Sequence, residues 1–345
     1  MIRASVIGAT GFAGAELVRL LLGHPQAEIA MVTSESSTGE MLTKMYPHFK
    51  DRLDKRLTSM QDIHAVAAAS DVIFIALPHG HAMKIGKELR NTDVKIIDLG
   101  GDYRFKDYKV FEKWYKVPHE DPEAKAVYGL VELYRDKIKG TKLVANPGCY
   151  TTASILSLVP LLKNKLISTK GIVVDAKSGT TGAGRSLKLG SLYESVNESF
   201  KAYGVATHRH TPEIEQAYSD FAGEDVVIQF TPHLLPLDRG IYATCYAELQ
   251  PGVTDEQIED AFESMYGKEY FIRVLGKDVA PELKNVRASN YVDLGWAIDR
   301  RTNRVIVMCC LDNLVKGAAG QAIQNMNLLF GLPEQTGLEA LPIYP

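Results

Sequence analysis

The sequence contains little cysteine and no long apolar run. Its four cysteines, Cys149, Cys245, Cys309 and Cys310, lack the spacing of a zinc site or of a secreted disulfide framework, so we expect reduced thiols. No segment approaches the roughly 20 apolar residues of a membrane span, and the apolar run that starts at Ile2 is too short for a signal peptide. These absences predict a cytoplasmic protein.

Positive charge is not in surplus either. The formal net charge is −3, whereas a protein that binds a nucleic-acid backbone or an anionic membrane needs a basic surface. We therefore expect neither nucleic acid nor a membrane as a partner, and a small molecule as the substrate.

The sequence does contain enough apolar residues for two hydrophobic cores, with 345 residues of which 46% are hydrophobic and 23% charged. In its first part, short apolar runs alternate with helical patterns, which is typical of right-handed parallel crossovers. We predict strands over residues 2–8, 28–33, 71–77, 94–99 and 142–145, and helices over residues 12–23, 80–90 and 149–163.

Beyond residue 172 the pattern becomes rich in β-strands, with only two clear helices among them. This pattern predicts a mixed or antiparallel sheet with helices on one face. The predicted strands span residues 172–176, 226–231, 241–249, 271–275 and 304–311, and the helices residues 211–221 and 255–266. A last helix over residues 314–330 contains Gly317-Ala318-Ala319-Gly320, a smooth face suited to close packing.

These patterns predict an α/β fold class, with a Rossmann-type doubly wound parallel sheet and a second, α+β domain for substrate binding and oligomerisation. Because we expect the last helix to return to the first domain, we assign residues 1–148 and 312–345 to that domain. Residues 149–311 form the predicted catalytic and oligomerisation domain.

A glycine-rich turn directly follows the first predicted strand and opens the first helix. Its glycines permit a tight turn and a close backbone approach, and the helix N-terminus offers unpaired N–H groups to a pyrophosphate. Its place in a strand-helix-strand unit favours dinucleotide binding over a merely structural turn. Six residues are assigned to cofactor binding: Gly8, Thr10, Gly11, Phe12, Ala13 and Gly14.

The end of the second strand bears on the choice between NADP and NAD. An NAD enzyme usually places an acid there for the ribose 2′-hydroxyl, whereas small hydroxyl side chains leave room for a 2′-phosphate. Ser34 and Ser36 are such side chains, and they flank Glu35. We favour NADPH, with Ser34 and Ser36 in the cofactor site, while Glu35 keeps NAD as the alternative.

Cys149 is the candidate nucleophile. It follows the turn Asn146-Pro147-Gly148 and precedes an apolar helix, which places its thiol at a helix N-terminus. The helix dipole and free amides there lower a thiol's pKa and could stabilise an oxyanion. A small buried residue is the alternative interpretation, and it fits Cys245 and the pair of cysteines at 309 and 310, because these lie within apolar strands.

His208 and His210 are the candidate proton carriers beside this thiol, since histidine serves that purpose near neutral pH. They alternate in a loop that precedes a helix with Thr211 as its predicted N-cap and Pro212 as its first residue, and both could point to one side of an extended segment. With Glu213 they could also be metal ligands, but no matching further ligand stands nearby, so we expect no metal.

Other candidate residues lie in loops that follow predicted strands. Pro78 and His79 stand at the carboxyl edge of the first sheet, where ligands bind in such folds, although the segment could instead cap a helix. A loop containing Gly179, Gly182 and Arg185 could bring backbone amides against an anion, or could be a flexible linker between domains or subunits. We assign Pro78, His79, Gly179 and Gly182 to the cofactor site.

Two further arginines could clamp a carboxylate or a phosphate. Arg104 and Arg239 lie in turn-like surroundings, and each could bind such a group bidentately. Most arginines are solvated surface charges, which is the alternative for both. We assign Arg104, Arg185 and Arg239 to the substrate.

Together these residues resemble the N-acetyl-gamma-glutamyl-phosphate reductase family, itself similar to the aspartate-semialdehyde dehydrogenases. The resemblance spans nearly the whole chain, and the cysteine and histidine segments are its most specific parts. The segments that carry it are Gly8-Ala9-Thr10-Gly11, Leu77-Pro78-His79-Gly80, Gly101-Asp102-Tyr103-Arg104, Asn146-Pro147-Gly148-Cys149-Tyr150, Ser178 to Arg185, His208-Arg209-His210, Pro212 to Gln216, and Asp312-Asn313.

The resemblance implies a second domain of the semialdehyde dehydrogenase type and a covalent mechanism. Cys149 would attack the γ-carbonyl of N-acetylglutamyl phosphate, and NADPH would reduce the resulting thioester to the semialdehyde. His208 would be the acid–base partner, with His210 the second candidate and Glu213 a supporting carboxylate. Asn313 would lie near the nicotinamide. Homo-oligomers, commonly tetramers, would assemble through the second domain's sheet.

Two other functions remain open from the sequence. One is reduction of the one-carbon-longer N-acetylaminoadipyl phosphate of lysine biosynthesis, because a single methylene changes binding by only about 1–3 kcal/mol. The other is a nucleotide-sensing regulator that keeps the dinucleotide fold without catalysis.

Overall fold

Short apolar runs at the start of the chain form a parallel sheet in the computed structural model, which describes residues 1–344. All neighbouring strands run parallel in the order β2-β1-β3-β4-β6-β5. The strands are β1 (Ile2–Ile7), β2 (Ala27–Thr33), β3 (Val72–Ile75), β4 (Lys95–Asp98), β5 (Val127–Tyr128) and β6 (Leu143–Ala145). The helices between them are α1 (Phe12–Leu22), α2 (Leu42–Met45), α3 (Ile63–Ala68), α4 (Ala82–Leu89), α5 (Tyr108–Tyr115) and α6 (Val131–Lys139). The predicted doubly wound sheet is confirmed.

The second sheet is mixed, as predicted, with seven strands in the order β11-β12-β13-β10-β7-β9-β8. Its strands are β7 (Ile172–Ser178), β8 (Lys201–Ala202), β9 (Ile228–Leu234), β10 (Ile241–Glu248), β11 (Ile272–Lys277), β12 (Val292–Asp299) and β13 (Arg304–Leu311). Its helices are α7 (Cys149–Lys163), α8 (Tyr193–Val196), α9 (Thr211–Ala222) and α10 (Asp255–Tyr266). Because α7 packs on β10, β13 and α9, all its residues from Tyr150 to Leu162 are buried.

Strand β12 lies inside this sheet, and the sequence did not predict it. The charged Asp293 and the small Gly295 break the apolar run, which hides the strand from pattern analysis. Asp293 is paired with Arg273 on the neighbouring strand, with 2.6 Å between the carboxylate and Nε. A β-carbon on Gly295 would lie 1.8 Å from the carbonyl oxygen of Val279. Both residues that obscure the strand are therefore explained by contacts with other segments of unit 2.

The chain divides into two units, and its last part joins the first unit at residue 318, later than the predicted residue 312. Unit 1 comprises residues 1–148 and 318–340, and unit 2 comprises residues 149–317 and those from 341 on. Our prediction placed residues 312–317 and 341–344 with the first domain, but they group with unit 2. The single predicted last helix is a π-helical turn over Val315–Ala319 followed by α11 (Gly320–Leu329).

The first β-α turn owes its shape to two glycines. Gly8 has φ +83°, a left-handed conformation that disfavours other residues, and a β-carbon there would lie 2.5 Å from the carbonyl oxygen of Ala76. Gly14, inside α1, has its α-carbon so close to the turn that a β-carbon would lie 2.2 Å from the carbonyl oxygen of Gly8. The helix therefore starts directly against the end of β1.

Replacing Gly14 by Ala tests this close approach. The new methyl group would meet backbone atoms that cannot move independently, so we expect a loss of about 1–3 kcal/mol in the free energy of unfolding and weaker dinucleotide binding. Gly23→Ala, at the other end of the same helix, is the control. Its β-carbon would lie 3.6 Å from the carbonyl oxygen of Leu20, an ordinary contact. Equal urea denaturation midpoints for the two variants would contradict this account.

Candidate active site

Cys149 differs from the other three cysteines in its exposure. It is the first residue of α7 and is partly exposed, whereas Cys245, Cys309 and Cys310 are buried. Burial raises the pKa of Cys245 to about 12 and also raises the pKa values of Cys309 and Cys310. Because a thiol reacts as its thiolate, Cys149 is the cysteine suited to nucleophilic attack.

The π-helical turn at 315–319 passes very close to this nucleophile. A β-carbon on Gly317 would lie 2.8 Å from the β-carbon of Cys149. Gly317, the first residue of the small-residue face predicted from the sequence, therefore packs against the residue that begins α7. Its role is steric, since any side chain at residue 317 would displace the thiol.

The two predicted histidines lie together in unit 2. The ring centroids of His208 and His210 are 4.8 Å apart, but they are brought together by a turn, and not by the extended segment that we predicted. Tyr150 and Phe230 contact the His208 ring edge-on. The N-cap of α9 is His210, one residue before the predicted Thr211.

Glu213 faces the nucleophile's helix. It is fully buried and accepts a hydrogen bond from the hydroxyl of Thr151, with an oxygen–oxygen distance of 2.9 Å. Thr151 is two residues beyond Cys149 in the first turn of α7. The carboxylate therefore joins α9 to the start of α7, and its supporting role stays a prediction.

Two tyrosines that the sequence did not single out complete this part of unit 2. The Tyr203 hydroxyl donates to the Tyr150 hydroxyl at 3.0 Å, and Tyr150 donates to the carbonyl oxygen of His233 at 3.1 Å. Burial raises the pKa of Tyr203 to about 12, and the nearby Cys149 thiol contributes to this rise. Although 36% of Tyr203 remains exposed, its hydroxyl end is therefore desolvated and close to Cys149. The sequence could have pointed to Tyr150, because this residue directly follows the candidate nucleophile.

Asn313 organises the glycine-rich loop that follows β7. Its Oδ1 accepts the N–H of Gly240 at 2.7 Å, and its Nδ2 donates to the Thr181 hydroxyl at 2.9 Å. Gly179 lies so close to the neighbouring turn that a β-carbon there would be 2.6 Å from the carbonyl oxygen of Asp238. Asn313 therefore fixes this loop, and its predicted place near the nicotinamide stays a prediction.

The three arginines predicted for the substrate have different surroundings. In unit 1, Arg104 is buried and donates from Nε to the carbonyl oxygen of Asn146 at 2.8 Å. In unit 2, Arg239 lies 3.5 Å from the carboxylate of Asp312. Arg185, in the loop that also contains Gly182, is exposed. Arg185 is therefore the arginine most open to a ligand.

In unit 1, the hydroxyl groups predicted for the cofactor form one chain. Thr10 Oγ1 lies 3.2 Å from Ser34 Oγ, which lies 3.3 Å from Ser36 Oγ. The carboxylate of Glu35 instead accepts from the Ser59 hydroxyl at 3.1 Å and from the N–H of Met60. Glu35 was the reason for keeping NAD as the alternative cofactor. Its carboxylate is hydrogen-bonded to the loop at residues 59 and 60.

His79 is tied to the loop after β4. Its Nδ1 accepts the N–H of Gly101 at 2.9 Å, while Asp102 accepts the N–H groups of Gly80 and Ala82 at 2.8 and 3.0 Å. The segment that follows Pro78 is therefore anchored at the carboxyl edge of the parallel sheet. Asp102, a buried carboxylate, is a capping residue that the sequence analysis missed.

Two absences among residues 1–344 bear on the class of site. No group of three histidine, cysteine or acidic side chains in this range is arranged to hold a metal ion. No helix in the same range is long and apolar enough to cross a membrane.

Comparison with known protein families defines the class of this protein. Residues 3–141 match the semialdehyde dehydrogenase NAD-binding domain, and residues 149–313 match the semialdehyde dehydrogenase dimerisation domain. The fold agrees: aspartate semialdehyde dehydrogenase II from Vibrio cholerae superposes with a TM-score of 0.72 at 16% identity, over 96% of this chain and 99% of that one. An aspartate semialdehyde dehydrogenase with NADP from Candida albicans has a TM-score of 0.66 at 17% identity, over 96% and 98% of the two chains.

Curated relatives narrow this class to one family. N-acetyl-gamma-glutamyl-phosphate reductases from Pelotomaculum thermopropionicum and Lachnospira eligens are each 51% identical to this chain, over 100% of its length and over 99% and 100% of theirs. The chain belongs to the N-acetyl-gamma-glutamyl-phosphate reductase family and is an oxidoreductase.

Selective alkylation tests the difference among the cysteines. We expect iodoacetamide to modify Cys149 in the native protein, because the other three thiols are buried and have raised pKa values. Peptide mass spectrometry after brief labelling gives the site, and labelling in denaturant, where all four should react, is the control. Labelling of Cys309 or Cys310 in the native protein would show that this assignment is wrong.

Proposed function

We propose that this chain reduces N-acetyl-γ-glutamyl phosphate to the semialdehyde with NADPH, through a thioester on Cys149. The observation that carries the proposal is the place of Cys149, partly exposed at the N-terminus of a buried helix, where the next residue, Tyr150, contacts the rings of His208 and His210. The names of relatives that are about half identical over the full length supply the substrate.

The covalent step relies on α7. The backbone N–H groups at the start of α7 and the positive end of the helix dipole favour the thiolate form of Cys149. The thiolate attacks the acyl carbon of the substrate, and phosphate leaves with the electrons of the broken C–O bond. The same N–H groups are suited to stabilising the negative charge that develops on the acyl oxygen.

NADPH fits the residues of unit 1. Gly8 and Gly14 bring the start of α1 close to β1, which suits a pyrophosphate at a helix N-terminus. The hydroxyls of Ser34 and Ser36 can donate to a 2′-phosphate, since the carboxylate of Glu35 is bound by residues 59 and 60. The bound cofactor would supply the hydride that reduces the thioester.

The alternatives drawn from the sequence have less support. A reductase for the one-carbon-longer substrate would use the same cysteine, and the printed names of the relatives favour the shorter acyl chain. A regulator without catalysis would have no need of a partly exposed cysteine at a helix N-terminus when the other three cysteines are buried. Arginine biosynthesis in the cytoplasm is the setting that this activity implies.

A homo-oligomer, dimer or tetramer, is part of the proposal. Residues 149–313 match a dimerisation domain. Within these residues, large apolar side chains remain exposed at Leu187, Leu189, Tyr193, Phe200 and Val205. Contacts with a second copy of the chain would remove such surface from water.

Replacing Cys149 by Ser tests the covalent step. We expect nearly all turnover with N-acetylglutamate semialdehyde, phosphate and NADP to be lost, because a hydroxyl is a far weaker nucleophile than a thiolate at neutral pH. Binding of NADPH, followed by its fluorescence, should persist.

Cys245→Ser is the matched control, since the hydroxyls of Ser157 and Tyr218 already contact that buried sulfur. It should keep its turnover. If Cys149→Ser retained activity comparable to that of the control, the thioester mechanism would have to be abandoned.

A further inference from the structure

Two buried aspartates lie close together in unit 1, at the carboxyl end of β4. Asp98 is the last residue of that strand and Asp102 lies in the loop that follows, and they are 0% and 1% exposed. Asp98 Oδ2 and Asp102 Oδ1 lie 3.5 and 3.6 Å from one point, the position that a β-carbon on Gly100 would take. Two buried carboxylates this close repel each other, so one of them is expected to keep a proton.

The hydrogen bonds of the two side chains show which one keeps it. Asp102 Oδ1 accepts the N–H of Gly80 at 2.8 Å, and its Oδ2 accepts the N–H of Ala82, the first residue of α4, at 3.0 Å. Asp98 Oδ1 accepts the N–H of Gly100 at 2.8 Å, whereas its buried Oδ2 has no hydrogen-bond partner among residues 1–344. Because N–H donors and a helix N-terminus stabilise a carboxylate, the charge belongs on Asp102 and the proton on Asp98 Oδ2.

The groups around Asp98 favour its protonated form. Burial and the charge of Asp102 raise the pKa of Asp98 to about 8, although Arg104 and the N–H groups of Gly100 and Asp102 act in the opposite direction. Arg104 is shared with other acceptors, since its Nε and Nη2 donate to two backbone carbonyl oxygens at 2.8 and 2.9 Å. The nearby cation therefore offsets only part of the cost of a charge on Asp98.

Asp102 faces a different set of groups. Burial raises its pKa, while the N–H groups that it accepts at the start of α4, together with His119, lower it. The Nε2 atom of His119 lies 2.9 Å from the carbonyl oxygen of Asp102. The other titratable groups that face the two acids are Tyr103 and His79. Asp102 is therefore the better stabilised carboxylate of the pair.

The pair lies between two segments of the candidate site. The carbonyl oxygen of Asp98 accepts the N–H of Asn146, which stands three residues before Cys149 in the sequence. The loop that contains Asp102 holds residues 79–82, because His79 accepts the N–H of Gly101 and Asp102 accepts two N–H groups of this segment. A second negative charge in the pair would repel Asp102, and with it the segment that Asp102 holds.

We propose that Asp98 is a positioning residue that works as a neutral carboxylic acid: it holds one proton beside the ionised Asp102 and so keeps the loop after β4 in place against residues 79–82. Loss of this proton in alkaline solution puts two negative charges in the pair and loosens that segment. The inference rests on the proposed function only in placing the cofactor beside residues 79–82, and it is independent of the covalent step on Cys149.

Asp98→Asn tests the proton, because an amide has the shape of a protonated carboxyl group and cannot ionise. An acid whose pKa is raised by folding binds more protons in the folded state, so the wild type loses stability as pH rises from the unfolded value near 4 to the folded value of about 8. The variant lacks this loss. Its folding equilibrium constant relative to wild type, measured by urea denaturation, should rise about tenfold per pH unit between pH 5 and pH 7.5. A constant ratio would overturn the proposal.

Asp102→Asn is the matched control, since it makes the same chemical change in the partner acid. An amide there removes the charge and leaves one oxygen to accept N–H groups that two oxygens now accept. We expect lower stability from pH 5 to pH 8 and weaker NADPH binding at pH 7, whereas Asp98→Asn should bind NADPH as the wild type does. An Asp98→Asn variant as unstable as Asp102→Asn, or as weak in binding NADPH, would overturn the proposal.

Infrared spectroscopy detects the same proton without substrate or cofactor. The C=O stretching band of a protonated carboxyl group is separate from the bands of carboxylates and of the peptide backbone. The wild type should show such a band at pH 7 and lose most of it by pH 9, and Asp98→Asn should lack this pH-dependent band. A wild-type spectrum that does not change in this way, or a pH-dependent band that persists in the variant, would overturn the assignment.

The positioning role is tested by NADPH binding in alkaline solution. The dissociation constant of NADPH should rise from pH 7 to pH 9 in the wild type and rise less in Asp98→Asn. Cys149→Ser should follow the wild type, because the thiol takes no part in this effect. Activity retained by Cys149→Ser would therefore contradict the thioester mechanism alone, whereas equal pH dependence in the wild type and Asp98→Asn would overturn the role of Asp98.

Discussion

Asn146 is the residue on which the geometry of the nucleophile's turn depends. It is completely buried, and four of its atoms are bonded within unit 1. Its N–H donates to the carbonyl oxygen of Asp98, its carbonyl accepts from Arg104, its Oδ1 accepts from Asn325, and its Nδ2 donates to the carbonyl oxygen of Ala318, at 2.8–3.1 Å. The strand that leads to Cys149 and the chain that returns at residue 318 are therefore held by one side chain. Loss of any of these partners would leave a buried polar group unsatisfied.

A nucleophile held this way gains from orientation more than from a charged partner. Glu213 is fully buried and hydrogen-bonded to Thr151, and the His208 ring is enclosed by aromatic groups. Neither arrangement requires an ion pair with the thiol. Fixed dipoles in a desolvated site stabilise developing charge without reorganising during the reaction. The N–H groups at the start of α7 are dipoles of this kind.

The sequence predicted those parts of the fold whose conformation depends on residues close together in the chain. Gly8 and Gly14 were recognisable because a tight turn and a close helix each require glycine, and the structure has both. Cys149 could be placed at a helix N-terminus because the turn residues Pro147 and Gly148 directly precede it. Each of these signals lies within a few residues of the feature that it predicts.

The parts that were missed depend on contacts between distant segments. Strand β12 was hidden because Asp293 is paired with Arg273 on another strand. The carboxylate of Glu35 accepts hydrogen bonds from residues 59 and 60, and the Tyr203 hydroxyl donates to the Tyr150 hydroxyl. These contacts also join residues that are far apart in the sequence. The hydrogen bond from Arg104 Nε to the carbonyl oxygen of Asn146 also joins distant residues. A single sequence carries no signal for such pairings.

The proposed reaction requires Cys149 to become acylated before any reduction takes place. Its most direct test is mass spectrometry of the protein mixed with N-acetylglutamyl phosphate in the absence of NADPH. The account predicts one N-acetylglutamyl group on the peptide that contains Cys149, released as the semialdehyde when NADPH is added. An adduct on another residue, or rapid turnover of substrate by protein whose Cys149 remains unmodified throughout, would contradict it.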